Sequence, residues 1–174
     1  MKKLITLLLL TQLSFGQIDR YFATSISIDG RNAIFGSQPT ENKPELDLQL
    51  SAELHLGNGL TWGFHYEQFP KIGYSKLSCG AGYVFEPINK IRVHANLETE
   101  LIFRRGEMVE QYFQHNDTFI GVSVNYKVLY EIVPNLYTGI RIGEQLRGDL
   151  KSAGYNDYFK FNGSVVFEYV IYID

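Results

Sequence analysis

The chain has 174 residues, 45% of them hydrophobic, with 16 basic and 19 acidic side chains and a net charge of −3. That acidic balance excludes the basic stripe on which nucleic-acid binding depends. Cys79 is the single cysteine, so no intramolecular disulfide braces the fold, and stability must come from strand pairing and burial.

The N-terminus reads Met1-Lys2-Lys3, then an apolar stretch from Leu4 to Leu10, then Ser14-Phe15-Gly16. A basic start, a short apolar centre and small residues before a cut form a secretory signal peptide. Residues 1–16 are expected to be that signal and 17–174 a single β-barrel domain. Removing the signal takes Lys2 and Lys3 from the 16 basic residues and lowers the net charge from −3 to −5. The apolar run is far shorter than the roughly 18 residues a spanning helix needs. No cysteine stands at the cut, so lipid anchoring is not expected.

Residues 45–56, Glu-Leu-Asp-Leu-Gln-Leu-Ser-Ala-Glu-Leu-His-Leu, alternate polar and apolar throughout. A strand sends successive side chains to opposite faces, so Leu46, Leu48, Leu50, Ala52, Leu54 and Leu56 share one side. The same period predicts eight strands, at 20–29, 45–56, 60–69, 73–85, 90–103, 118–130, 136–146 and 158–172, each with one uncharged apolar face. Trp62, Phe64 and Tyr66 lie on that of the third, and Val122, Val124 and Val128 on that of the sixth. Such lengths suit the roughly 9–11 tilted residues of a membrane-crossing strand.

Long polar links at 30–44, 104–117 and 147–157 alternate with short ones at 57–59, 86–89 and 132–135, as on the two rims of an up-and-down barrel. The short link at 69–72 departs from this alternation. Parity selects the first turn. Leu56 and Leu60 must face the same way, which demands a three-residue loop over 57–59 with Gly59 in the left-handed position. Leu54 then falls opposite Trp62 and Ser51 opposite His65. Centring the next turn on Ile88 sets Lys76 opposite Glu100. With an even strand count, both termini fall on the short-turn side.

Alternation fits two barrels of opposite polarity. In one, the apolar faces meet lipid; in the other, a soluble periplasmic lipocalin-like barrel, they line a cavity for an apolar ligand. Tyr66 and Phe103 toward the loop rim, with Tyr83, Phe85, Tyr130 and Tyr169 toward the turn rim, form paired aromatic girdles and favour the membrane. In signal, strand number, turns and girdles the chain resembles the small eight-stranded outer-membrane β-barrels of diderm bacteria, the group that includes the transmembrane domain of outer membrane protein A. That resemblance implies an eight-stranded antiparallel up-and-down transmembrane β-barrel in the cell outer membrane, with outer-membrane lipid and the barrel assembly machinery as partners. Many members end on an aromatic residue, whereas this chain ends Val170-Ile171-Tyr172-Ile173-Asp174, so Phe167, Tyr169 or Tyr172 would carry the assembly signal.

An eight-stranded barrel is just wide enough for side chains to fill it. Lys76, Arg92, His94, Glu98 and Glu100 are therefore expected to form a structural lumen network, on a polar face where Lys76, Arg92, Lys127, Arg141 and Lys160 can meet Glu53, Glu67, Glu98, Glu100 and Glu168. No large pore, catalytic residue or cofactor is expected. A lipid-modifying enzyme would need a serine, a histidine and an acid to converge, drawn from His115, Asp117 and Ser152 in the loops or His55, His65 and His94 on the polar face. Their spacing gives no such motif, and His55 and His65 lack the tight ligand spacing of a zinc site. Arg147-Gly148-Asp149 spells an adhesion tripeptide and reads more simply as turn chemistry. A surface partner, if any, would meet loops 30–44, 104–117 and 147–157.

Overall fold

A computed structural model describes residues 19–30, 46–70, 73–105, 117–152 and 159–173. The expected signal 1–16, His115 and most of loops 30–44 and 104–117 lie outside them. The elements are β1 (Tyr21–Asp29), β2 (Leu48–His55), β3 (Leu60–Phe69), β4 (Tyr74–Ile88), β5 (Ile91–Arg104), β6 (Asp117–Val133), β7 (Leu136–Leu146), a helical turn α1 (Gly148–Ser152) and β8 (Phe159–Tyr172). Each strand pairs antiparallel with the next, and β1 closes on β8 with Tyr21 opposite Tyr172. The molecule is an all-β, eight-stranded antiparallel up-and-down barrel.

The faces divide as the period of two requires. Trp62 and Phe64 are 61% and 68% exposed, while Glu53 and Lys76 on the opposite face are 4% and 1% exposed. Apolar side chains point out and charged ones point in, which excludes the soluble barrel with an apolar cavity. An exterior of exposed Leu, Val, Ile, Phe and Tyr is stable only against hydrocarbon, and a closed barrel is the β structure that satisfies its own backbone there. Among the described strand residues, one charge breaks the apolar exterior. It is Glu144, near the loop end of β7, opposite Val124 and Phe161.

Strand length is uneven around the wall. β1 to β3 have 9, 8 and 10 residues, and β4 to β6 have 15, 14 and 17. The twelve-residue strand expected at 45–56 is thus shorter than its alternation, because its partners β1 and β3 stop at Asp29 and at Phe69, just before Pro70.

One device recurs at four turns. Gly59, Gly73, Lys90 and Asn135 all adopt positive φ, at 84°, 56°, 72° and 70°. Each then turns its carbonyl sideways to accept an N–H from the next strand along: Gly59 from Val84, Gly73 from Arg105, Lys90 from Glu131 and Asn135 from Val170. The turns are thereby pinned to the wall. At Gly59 a Cβ would also lie 2.6 Å from the Tyr83 ring, which would have to shift.

The parity argument holds for the first hairpin, where Leu54 faces Trp62 and Ser51 faces His65. The second hairpin corrects it by two residues. Lys76 lies opposite Ile102 and Ser78 opposite Glu100, with a bulge between Phe85 and Ile88. The turn there shrinks to Asn89-Lys90, and the bulge takes up the odd residue that a tight turn leaves over. In the same way β6 runs on to Val133, which pairs with Leu136 across Pro134-Asn135.

Candidate functional site: a lumen closed at both ends

β5 supplies the lumen at nearly every level through the alternating positions Arg92, His94, Glu98, Glu100 and Arg104, all buried. At the turn rim the Arg92 guanidinium lies between two rings, 4.3 Å from the centroid of Tyr21 and 4.2 Å from that of Tyr137. It donates to Glu86 Oε1 at 2.6 Å and to Tyr172 Oη at 3.0 Å. Ala23, Val84, Leu129, Val166 and Val170 pack with Tyr21 and Tyr137 into an inward apolar plug. Arg92 therefore belongs to a stopper at the rim rather than to the central network.

Beneath that stopper, His55 stacks on Tyr21 at 4.0 Å and meets the His94 ring edge-on at 5.3 Å. Glu53 Oε2 lies 3.3 Å from His55 Nε2 and 3.8 Å from His94 Nδ1. The next level is the Lys127 ammonium, which donates to Glu53 Oε1 at 2.8 Å and Glu168 Oε2 at 2.5 Å. Further along, Glu98 accepts from Arg141 at 2.6 Å, Ser78 at 3.0 Å and Asn125 at 3.0 Å, with His65 Nε2 at 3.6 Å. Lys76 then bridges Glu67 at 2.6 Å and Glu100 at 3.2 Å, and Gln145 donates to the other Glu100 oxygen at 2.6 Å. The Lys76–Glu100 pair forms diagonally, across the shifted register. Ser25 and Ser51 hydroxyls add a cross-strand hydrogen bond.

The loop rim has its own stopper. Arg104 and Arg147 lie over the Tyr74 ring at 5.0 and 4.5 Å, and both donate to Asp149, Arg104 at 2.7 Å and Arg147 at 2.8 and 2.6 Å. Phe69 and Ile102 pack with Tyr74 behind them. Asp149 sits in α1 within the segment expected to be loop. It is fully buried, so Arg147-Gly148-Asp149 is a latch over the lumen and not a displayed adhesion sequence. Gly148 lets α1 approach the wall, because a Cβ there would lie 2.0 Å from the Ile120 carbonyl oxygen.

Charges so deeply buried are tolerable only when paired, since an unpartnered one costs several kcal/mol. Between the stoppers a cavity of about 10 Å³ remains, lined by residues including Ser25, Ser51, Asn96, Asn125 and Lys127. That is about the room one water needs. The lumen is filled by side chains and offers no large pore.

The five predicted network residues are all inward and buried, but they separate. Glu98, Glu100 and Lys76 share the centre, His94 joins Glu53 and His55, and Arg92 serves the rim. Glu53, Lys127, Arg141 and Glu168 have the ion-pair roles anticipated for them, while Gln145, Asn125 and Ser78 were not singled out by their sequence. The apolar stoppers were also missed. Their signal is visible as breaks in alternation near strand ends, at Tyr83-Val84-Phe85, Val128-Leu129 and Tyr169-Val170-Ile171. Of the enzyme candidates, His55, His65 and His94 lie sealed in the lumen, whereas Asp117 and Ser152 are exposed at the loop rim.

No protein-family model matches the chain, and no curated protein matches it. Solved structures do. A de novo designed transmembrane β-barrel aligns with 88% of this chain and 95% of its own, at 10% identity and a TM-score of 0.50. The outer membrane protein Ail of Yersinia pestis, in a phospholipid nanodisc, aligns over 88% of this chain and 100% of its own, at 10% identity and a TM-score of 0.53. At such identities the likeness is one of fold, and it agrees with the outward apolar face. The chain has the architecture of the small eight-stranded outer-membrane β-barrels.

Proposed function

We propose that this protein is a structural barrel of the bacterial outer membrane that holds its loop rim at the cell surface, neither conducting solutes nor catalysing a reaction. The observation that carries this reading is the pairing of an apolar, lipid-compatible exterior with a lumen stoppered at both ends by Arg92 with Tyr21 and Tyr137, and by Arg104 and Arg147 with Tyr74. A sealed, ion-paired interior gives rigidity and no passage. The buried histidines stand where no lipid or external substrate reaches them, which supports a non-enzymatic role. Tyr21 and Tyr172 share the rim of the tight turns, and loops 30–44, 104–117 and 147–157 belong to the other. A chain inserted from the periplasm by the barrel assembly machinery would leave the tight turns inside and present those loops outward, where a partner could bind.

Fractionated envelopes and intact cells test it together. The protein should appear in the outer-membrane fraction as a band whose gel mobility shifts only after boiling, and protease added to intact cells should cut within 104–117 and 147–157. Recovery from the soluble periplasm, or cleavage only after the envelope is opened, would overturn the reading.

A further inference from the structure

Glu53, His55 and His94 each offer one ligand atom, all within 4.8 Å of one another, and all three residues are buried. They come from strands that are not neighbours. β2 presents Glu53 and His55 two residues apart on its inner face, and β5 presents His94 from across the lumen. Both nitrogens of His55, both of His94 and the Glu53 Oε2 atom have no hydrogen-bond partner, although both histidines are 0% exposed. Buried polar atoms are ordinarily paired, and here each of the three residues turns one ligand atom to within 4.8 Å of the other two. The small lumen cavity is lined by Glu53 but not by either imidazole, so water held there serves another part of the network.

We propose that Glu53, His55 and His94 form a binding site for a divalent transition-metal ion, with Zn²⁺ the chemistry they suit best. Imidazole and carboxylate together are the donors that zinc takes, at about 2.0–2.2 Å. Tetrahedral ligands at that radius stand roughly 3.3–3.5 Å apart. Glu53 Oε2 already lies 3.3 Å from His55 Nε2 and 3.8 Å from His94 Nδ1. All three ligand atoms lie within 4.8 Å of one another, so closing on an ion draws the two imidazoles together around Glu53. Three protein ligands leave one position for a water molecule.

The residues around the three ligands fit as well. Lys127 shares its ammonium between Glu53 Oε1 and Glu168 Oε2, so two carboxylates meet one cation and a negative charge is left beside the imidazoles. The hydrogen bond from Lys127 fixes the far oxygen of Glu53, leaving Oε2 for the ion. Tyr21 stacks on His55 with the planes 16° apart, which fixes that ring. The Arg92 stopper closes the rim above, so the ion would be retained once the barrel had folded and would load during folding or through an opened turn rim. The site would then tie β2 to β5 across the lumen.

The test uses the full mature barrel, refolded in detergent with Zn²⁺ or with a chelator, and freed of loose metal. The expected result is one zinc per folded barrel by elemental analysis and a higher temperature for loss of the heat-modifiable form in the zinc-loaded sample. Co²⁺ in place of zinc should give the intense visible absorption of a four-coordinate nitrogen and oxygen site. His55→Gln and His94→Gln should lose the metal and the thermal shift together, while His65→Gln, which leaves the cluster intact, should keep both. Should a cluster variant fail to fold, the wild-type barrel decides alone. A folded wild-type barrel without stoichiometric zinc, or with equal zinc in His94→Gln, overturns the proposal.

Discussion

Arg104 Nε and Asp149 Oδ2 lie 2.7 Å apart, joining the last residue of β5 to a helical turn 45 positions later in the chain. Arg147 grips the same carboxylate with two nitrogens, so one buried acid holds two guanidiniums over the Tyr74 ring. Burial opposes ionisation of Asp149, but Arg147 and Arg104 outweigh it and hold the carboxyl below its ordinary range. A carboxyl depressed on folding contributes stability above its unfolded pKa, about 3.9, and loses it as the pH falls through the folded value. The latch should therefore stay shut at neutral pH and loosen only below about pH 4. Hydrogen exchange at 147–152, followed from pH 7 to pH 3, should show protection lost at the acid end. In Asp149→Asn the segment should exchange fast at every pH. Unchanged protection in that variant would mean that α1 is held by something other than this acid.

The turn-rim stopper makes a different demand on its arginine. The Arg92 guanidinium lies over the rings of both Tyr21 and Tyr137 while it donates to Glu86 and Tyr172. Lysine carries the charge without the plane or the fork. Two ring contacts at about 0.5–2 kcal/mol each set the scale of what it forfeits. Arg92→Lys should lower the folding free energy of the barrel by about 1–3 kcal/mol and Arg92→Ala by more, read from equilibrium unfolding in detergent. Equal stability of Arg92→Lys and the native chain would show that charge alone closes the rim.

The fold could be read from the sequence because strand faces obey parity, and parity survives errors in length. Leu54 opposite Trp62 followed from a three-residue loop and the glycine it needs, both local facts. Lys76 opposite Glu100 failed because the hairpin, with its bulge between Phe85 and Ile88, settles two residues from the expected register, and Pro87 within the bulge reads in the sequence as part of the turn rather than as the mark of a bulge. Inward charge at Lys76, Glu98 and Glu100 was legible as the polar half of an alternation. The meeting of His94 with Glu53 and His55 was not. It depends on the stagger with which eight strands close, which brings β5 across the lumen to β2. Nor could five residues announce α1, since its Asp149 is held by tertiary contacts to Arg104 and Arg147 rather than by helix propensity.

Lipid on the outside makes depth the variable that governs substitution. Leu50 lies between Ile26 and Tyr66 in the wall, well inside the strand. Leu46 lies beyond the loop end of β2. Arginine facing hydrocarbon near the midplane costs about 2–4 kcal/mol, falling to roughly 0–1 near the interface. Leu50→Arg should therefore cut the heat-modifiable form sharply, and Leu46→Arg should leave it nearly intact. The contrast is the informative part, since a soluble barrel would show no such dependence on depth.

Lys127 gives the sharpest test of the lumen. Its ammonium has three protons and spends two of them on Glu53 and Glu168, both buried. Lys127→Met keeps most of the volume but leaves two carboxylates facing each other without a counter-charge. Breaking a buried pair in this way costs about 3–5 kcal/mol, whereas replacing both partners with neutral groups is often close to neutral. Adding Glu168→Gln to Lys127→Met should accordingly restore part of the loss, because it removes one of the two stranded charges. The measured quantity is the coupling energy from the two single variants and the double, by unfolding in detergent. A strong rescue identifies the cost as electrostatic. Additive losses would mean that Lys127 works through its packing, and that water reaches the carboxylates despite both stoppers.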